Sequence, residues 1–128
     1  MSPSPRPSQL PVQLRPMMTG ELPPLDLVTI RATTRRAVGG RRSVPGPREI
    51  TELTQALREH LQQMLPHAQA RADEIAPGSA ARERWQALIN RARAAAAARP
   101  DRQGRPAATV HLAALARQTR FLANCLDE

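Results

Sequence analysis

The residues with chemistry to offer are few: three histidines, one cysteine and eleven carboxylates, set against nineteen arginines. A zinc site needs donors brought to one point, commonly two histidines four apart on a helix with a third donor. His60 and His67 are seven apart. They share a helical face but sit about 10 Å apart along its axis. Glu59-His60 does not begin the metalloprotease signature, because position 64 is methionine. These read as ordinary polar-face histidines, and no metal or cofactor is expected.

Cys125 would need a neighbouring histidine to serve as a nucleophile. His111 lies fourteen residues earlier on the same predicted helix, about 21 Å away. A small buried hydrophobe is the better reading of this cysteine. Asp73 and Glu74 are adjacent and point to different sides of a helix, unlike a working acid/base pair. No strand precedes a glycine-rich loop, so no phosphate cradle is expected. The pattern points away from an enzyme.

The arginines carry more. Arg31, Arg35, Arg36, Arg41, Arg42 and Arg48 fall within eighteen residues, and Arg82, Arg84, Arg91, Arg93 and Arg99 form a second group. Arginine neutralises phosphate with a salt-dependent affinity, so the first five are candidate contacts for an anion or nucleic acid. Against this, only Trp85 and Phe121 are aromatic, too few for a single-strand platform. The Pro- and Gly-rich turn after the first helix does not fit a helix-turn-helix. A solvated basic face is the competing reading. All basic residues are arginine, with no lysine, as the codons of a GC-rich genome favour. The net charge is +8, but it is unevenly spread: residues 25–48 carry +5, 49–75 carry −3 and 76–99 carry +4. An acidic segment between basic ones suggests complementarity within the fold.

These residues need elements to position them, and the pattern is helical throughout. Ile50, Leu53, Leu57, Leu61, Met64, Ala68, Ala72 and Ile75 recur in steps of three and four, one stripe of a long amphipathic helix. Pro66 should kink or briefly break it, and Pro77-Gly78 should end it. A first helix over Leu27 to Val38 has Asp26 as N-cap and Gly39-Gly40 as its stop. Ser79 should cap a third helix, Ala80 to Arg99, with Ala81, Trp85, Leu88, Ala92 and Ala95 inward. The last, Ala107 to Leu126, shows Ala108, Leu112, Leu115, Thr119, Leu122 and Leu126, close to a heptad seam. Seven of the thirteen prolines lie in residues 1–24, which read as a disordered tail. The expected fold is all-α: a small antiparallel helical bundle over 25–128, with three long helices and one shorter N-terminal helix.

The last helix is apolar on more than one side, with Val110, Phe121 and Cys125 flanking the seam. Leu112, Leu115, Leu122 and Leu126 are therefore candidate interface residues for a symmetric homodimer; the alternative is a monomer whose first helix covers them. One cysteine excludes an internal disulfide. No apolar run approaches the length of a membrane span, and the N-terminus lacks a secretory signal. The expected location is cytoplasmic, with no membrane partner.

With the segments placed, the chain resembles a small uncharacterised family of actinobacterial proteins loosely attached by label to natural-product biosynthesis. The resemblance rests on Leu25-Asp26-Leu27, Ile30-Arg31-Ala32-Thr33 and Arg35-Arg36, then Glu52-Leu53-Thr54, Leu57-Arg58, His60-Leu61 and Leu65-Pro66. Leu115-Ala116-Arg117 with Leu122 completes it. It covers roughly residues 25–126 and departs in the third helix, which is richer in alanine here. It implies the helical fold and brings no catalytic residues. The expected function is a non-catalytic interaction or accessory protein, acting with a protein partner or with itself in a biosynthetic or regulatory assembly. The alternative is a nucleic-acid-binding accessory factor using the arginines.

Overall fold

The structure is a computed structural model and describes residues 22–39, 46–100 and 103–128. Among them are four helices: α1 Leu27–Gly39, α2 Pro47–Asp73, α3 Ala80–Ala97 and α4 Arg105–Leu126. The expected tail lies outside the described residues as far as position 21. Residues 22–24 are placed: the Pro23 carbonyl accepts a 2.8 Å hydrogen bond from His67 Nε2, and Leu25 packs against the core.

Each helix begins either at a side chain that accepts from a first-turn N–H group or at a glycine followed by a proline in the first turn. Asp26 caps α1, its Oδ1 accepting from Thr29 N at 3.0 Å and its Oδ2 from Thr29 Oγ1 at 2.6 Å. Pro47 opens α2 behind Gly46, a position where the missing proline N–H costs nothing. Ser79 caps α3: its Oγ accepts from Arg82 N and donates to the Ala76 carbonyl. Gly104, at φ 110°, precedes α4. That backbone suits glycine and starts the helix two residues before the expected Ala107.

The α2 stripe is the centre of the core. Ile50, Leu53, Leu57, Leu61, Met64, Ala68 and Ala72 are all buried. Pro66 neither breaks nor ends the helix. Gln62, four residues earlier, and Pro66 are both exposed, so the carbonyl that loses its partner faces water and can be solvated. Ile75 does not complete the stripe, because α2 stops at Asp73. Glu74 N donates to Arg71 O and Ile75 N to Ala72 O, tightening the chain out of the helix. Arg82 holds the new direction, bonding the Ile75 carbonyl and pairing with Asp73 at 3.2 Å.

Side-chain bonds between distant segments fix the topology. Arg58 of α2 reaches Ala98 and His111, while Arg71, further along, reaches Leu126 and faces Trp85. Hence α3 runs antiparallel to α2, and α4 parallel to it. Thr33 meets His60, and Arg36 pairs with Glu49, so α1 returns antiparallel against α2. It also packs on α4, while α1 and α3 share no contact. The bundle has α2 and α4 in the middle, α1 on one side and α3 on the other.

Two inward faces differ from the sequence-based expectation. On α3 the buried residues are Leu88, Ile89, Ala92 and Ala96, with Trp85 and Ala95 half-buried. The face is turned toward Ile89, which the expected stripe left outside. Leu88 and Ile89 are about 100° apart around the axis, and a broad apolar face accommodates both. On α4, Leu112, Leu115 and Leu122 are 1%, 2% and 0% exposed within the single chain. This seam is core rather than an outward interface, because α1 and α2 both pack on it. Leu126 is half-buried against the same core. Thr119 also lies in the seam, its hydroxyl donating to the Leu115 carbonyl at 2.8 Å.

Candidate interaction surface

The arginines divide by what they touch. Arg31 binds α1 to the end of α4, with Nη2 at 3.1 Å from Asn124 Oδ1 and Nη1 at 3.2 Å from Asp127 Oδ2. Arg36 faces Glu49 at 3.8 Å on the surface. Arg35 is exposed, with no hydrogen bond or ion pair among the described residues. Arg41 and Arg42 lie outside the described residues. The expected anion cluster is therefore partly engaged within the fold.

Three further arginines are structural. Arg58 Nη2 donates to the Ala98 carbonyl at 2.7 Å and lies 3.2 Å from His111 Nε2. Burial, and then the nearby charge of Arg99, pull its pKa below the usual arginine value. Arg71 and Arg82 tie down the far end of the bundle. Each of these cations points at carbonyls near a helix C-terminus, where the dipole favours positive charge.

The histidines are separated by the elements they serve. His67 holds Pro23, and His60 holds α1. The Thr33 hydroxyl donates to the Thr29 carbonyl at 3.0 Å, so it accepts from His60 Nε2 at 3.1 Å. That assigns the proton of neutral His60 to Nε2, leaving Nδ1 buried without a protein partner. Among the described residues no three His, Cys, Asp or Glu side chains converge as metal ligands. Cys125 is half-buried, and burial followed by the Glu128 charge pushes its thiol pKa up. A raised pKa disfavours the reactive thiolate.

Of the exposed large apolar side chains among the described residues, Val28 and Val38 lie on α1 and Val110 and Phe121 on α4; only the latter pair stands beside a groove, on the face between α3 and α4. A groove of about 360 Å³ lies there, with Trp85 and Leu88 on its α3 side and Phe121 and Cys125 on its α4 side. Arg84 and Arg91 line it too, and Glu128 stands at one end. Both arginines are exposed, without a hydrogen bond or ion pair among the described residues. Further along the same pair of helices, a second depression lies against Ala98, Val110 and Ala114. Phe121 is 53% exposed and Val110 69%. On α4 the residues Val110, Ala114, Arg117 and Phe121 follow in steps of four, three and four, all exposed, which makes a second stripe opposite the core.

On α3 the matching line is Arg84, Ala87, Arg91 and Ala94, in steps of three and four and likewise exposed, with Ala98 just past the helix end. Sequence reasoning found the arginines of this line only as a basic group. The signal that places them in a groove is the alanine at each intervening step, which lowers the wall between the two helices.

Among the described residues no helix is long and apolar enough to cross a membrane. Comparison with curated proteins and with solved structures finds no match. The sequence model of DUF6415, a family of unknown function, matches residues 28–128, and the chain belongs to that family.

Proposed function

We propose that the protein is a non-catalytic helical interaction or accessory protein that engages its partner through the α3–α4 face. The observation that carries this reading is the exposed stripe of Val110, Ala114 and Phe121 beside a groove flanked by two arginines that none of the described residues pairs. Exposed large apolar side chains gathered on one face, with polar groups around them, are what interfaces are made of. The assembly it would serve is biosynthetic or regulatory, a proposal that rests on the resemblance described above.

Nucleic-acid binding is the second reading. It is favoured by Arg84, Arg91 and Arg117, which have no ion pair or hydrogen bond among the described residues, and weakened by Phe121 and Val110 standing among them, since phosphate contacts need no apolar stripe. Site-specific photo-crosslinking tests both. A photoreactive residue at position 110 or 121, in the host cell, should give discrete protein adducts that a probe at Gln62, exposed on α2, does not give. Adducts to nucleic acid would favour the second reading. Equal adducts at all three positions, or none, would overturn the first.

A further inference from the structure

The groove between α3 and α4 has a shape and a charge that select among partners. We infer that it receives an acidic amphipathic helix of another protein, with its apolar stripe over Trp85, Leu88 and Phe121 and its carboxylates against Arg84 and Arg91. The inference deepens the interaction reading above and rests on it.

Three observations lead there. The first is geometric. The open lines on α3 and α4 both step by three and four residues, and two such ridges leave between them a trough with helical periodicity. The bundle already contains a helix lodged in that way: α1, thirteen residues long, lies across α2 and α4. No element of the described chain occupies the equivalent trough on the α3 side.

The second is electrostatic. Arg31, Arg36, Arg58, Arg71 and Arg82 are all engaged by groups of this chain. Arg84 and Arg91 are engaged by none of the described residues, although they flank apolar surface. They are seven residues apart, about 10 Å along the axis, so the matching partner has two carboxylates at the same interval. The Glu128 carboxylate at one end of the groove reduces the positive field there and shifts the best acidic contact toward Arg91.

The third weighs against the simplest alternative. A two-fold pairing of this face with a second copy would bring the two sets of Arg84, Arg91 and Arg117 toward each other, and like charges brought together across an interface are unfavourable. An acidic helix meets the same apolar surface without that cost.

The test uses the full chain and a displayed library of amphipathic helices about twenty residues long, with the apolar stripe and its flanking positions randomised. Selected binders should carry Asp or Glu at two flanking positions seven apart. Their affinity should fall about tenfold or more on the double substitution Arg84→Glu with Arg91→Glu, the scale expected for reversing two rim charges. Binders with those carboxylates changed to lysine should recover affinity for the doubly substituted protein. Circular dichroism of that protein shows whether the helices are intact, and recovery can occur only on a folded surface. Selection without acidic enrichment, or binders indifferent to both Arg84→Glu with Arg91→Glu and Phe121→Glu, would overturn the inference. A homodimer in light scattering that Phe121→Glu dissolves would overturn it in favour of a second copy. Host-cell adducts at position 121 alongside a failed selection would leave the interaction reading standing and remove only the acidic helix.

Discussion

The guanidinium carbon of Arg71 lies 5.7 Å from the centroid of the Trp85 ring, and Nη2 of the same arginine donates to the Leu126 and Glu128 carbonyls at 2.7 and 3.0 Å. One side chain thus joins the end of α2 to the start of α3 and the end of α4. Trp85 lines the candidate groove, so this contact also sets part of its floor.

Arg71→Ala should therefore act on both stability and the groove. Cation–π contacts at partly exposed sites contribute about 0.5–1 kcal/mol, and a hydrogen bond from a charged donor about 1.5–3 kcal/mol. Partial exposure lowers the total, so a loss of about 1–2 kcal/mol in urea unfolding is expected. Trp85, the sole tryptophan, should shift its emission to the red in the native state. Arg71→Lys should recover only part of the stability, because the shorter lysine side chain with its compact ammonium replaces the planar guanidinium that lies over the Trp85 ring. Full recovery by lysine would show that charge alone matters.

The α2 stripe makes a stronger demand. Leu57 and Leu61 are fully buried, and truncation of either to alanine should cost about 2–5 kcal/mol. A chemical denaturation series giving less than about 0.5 kcal/mol for both would contradict a core centred on α2.

Asp26 supplies a pH dependence whose sign follows from its hydrogen bonds. The Thr29 hydroxyl, then the Thr29 amide, hold its carboxyl below the ordinary value of 3.8. A depressed folded-state pKa contributes stability that is present above the unfolded value and is lost as pH falls through the folded one. The start of α1 should accordingly loosen below about pH 4. The protection factors of the Thr29 and Ile30 amides, with the intrinsic pH dependence of hydrogen exchange divided out, should fall there. In Asp26→Asn, which keeps an acceptor but cannot titrate, the protection should lose that acid dependence. The same acid dependence in Asp26→Asn would place its origin elsewhere.

How much of this was legible in the sequence depended on whether a property belongs to one helix or to two. The α2 stripe and the Asp26 and Ser79 caps are local, and periodicity and cap chemistry located them. The Leu112, Leu115 and Leu122 seam was equally visible as a seam, but spacing cannot say what faces it. Only the arrival of α1 and α2 made it core. The Arg31–Asn124 bond spans 93 residues, and nothing in a run of arginines distinguishes one held in this way from Arg84, which none of the described residues engages. The groove was hidden for a similar reason. Trp85 read as core and Arg84 as surface, and their sharing one trough is a property of how α3 lies against α4.

On the proposed reading the α3–α4 face, and Phe121 in particular, serves recognition rather than folding. Its most direct test pairs a photo-crosslinker at position 110 with Phe121→Glu in the same chain, read beside thermal unfolding. Phe121 is half-exposed, so a stability change within about 0.5 kcal/mol is expected together with loss of the protein adduct at position 110. Persistence of that adduct in the Phe121→Glu chain, or unfolding as severe as that of the buried neighbour's substitution Leu122→Glu, would contradict it.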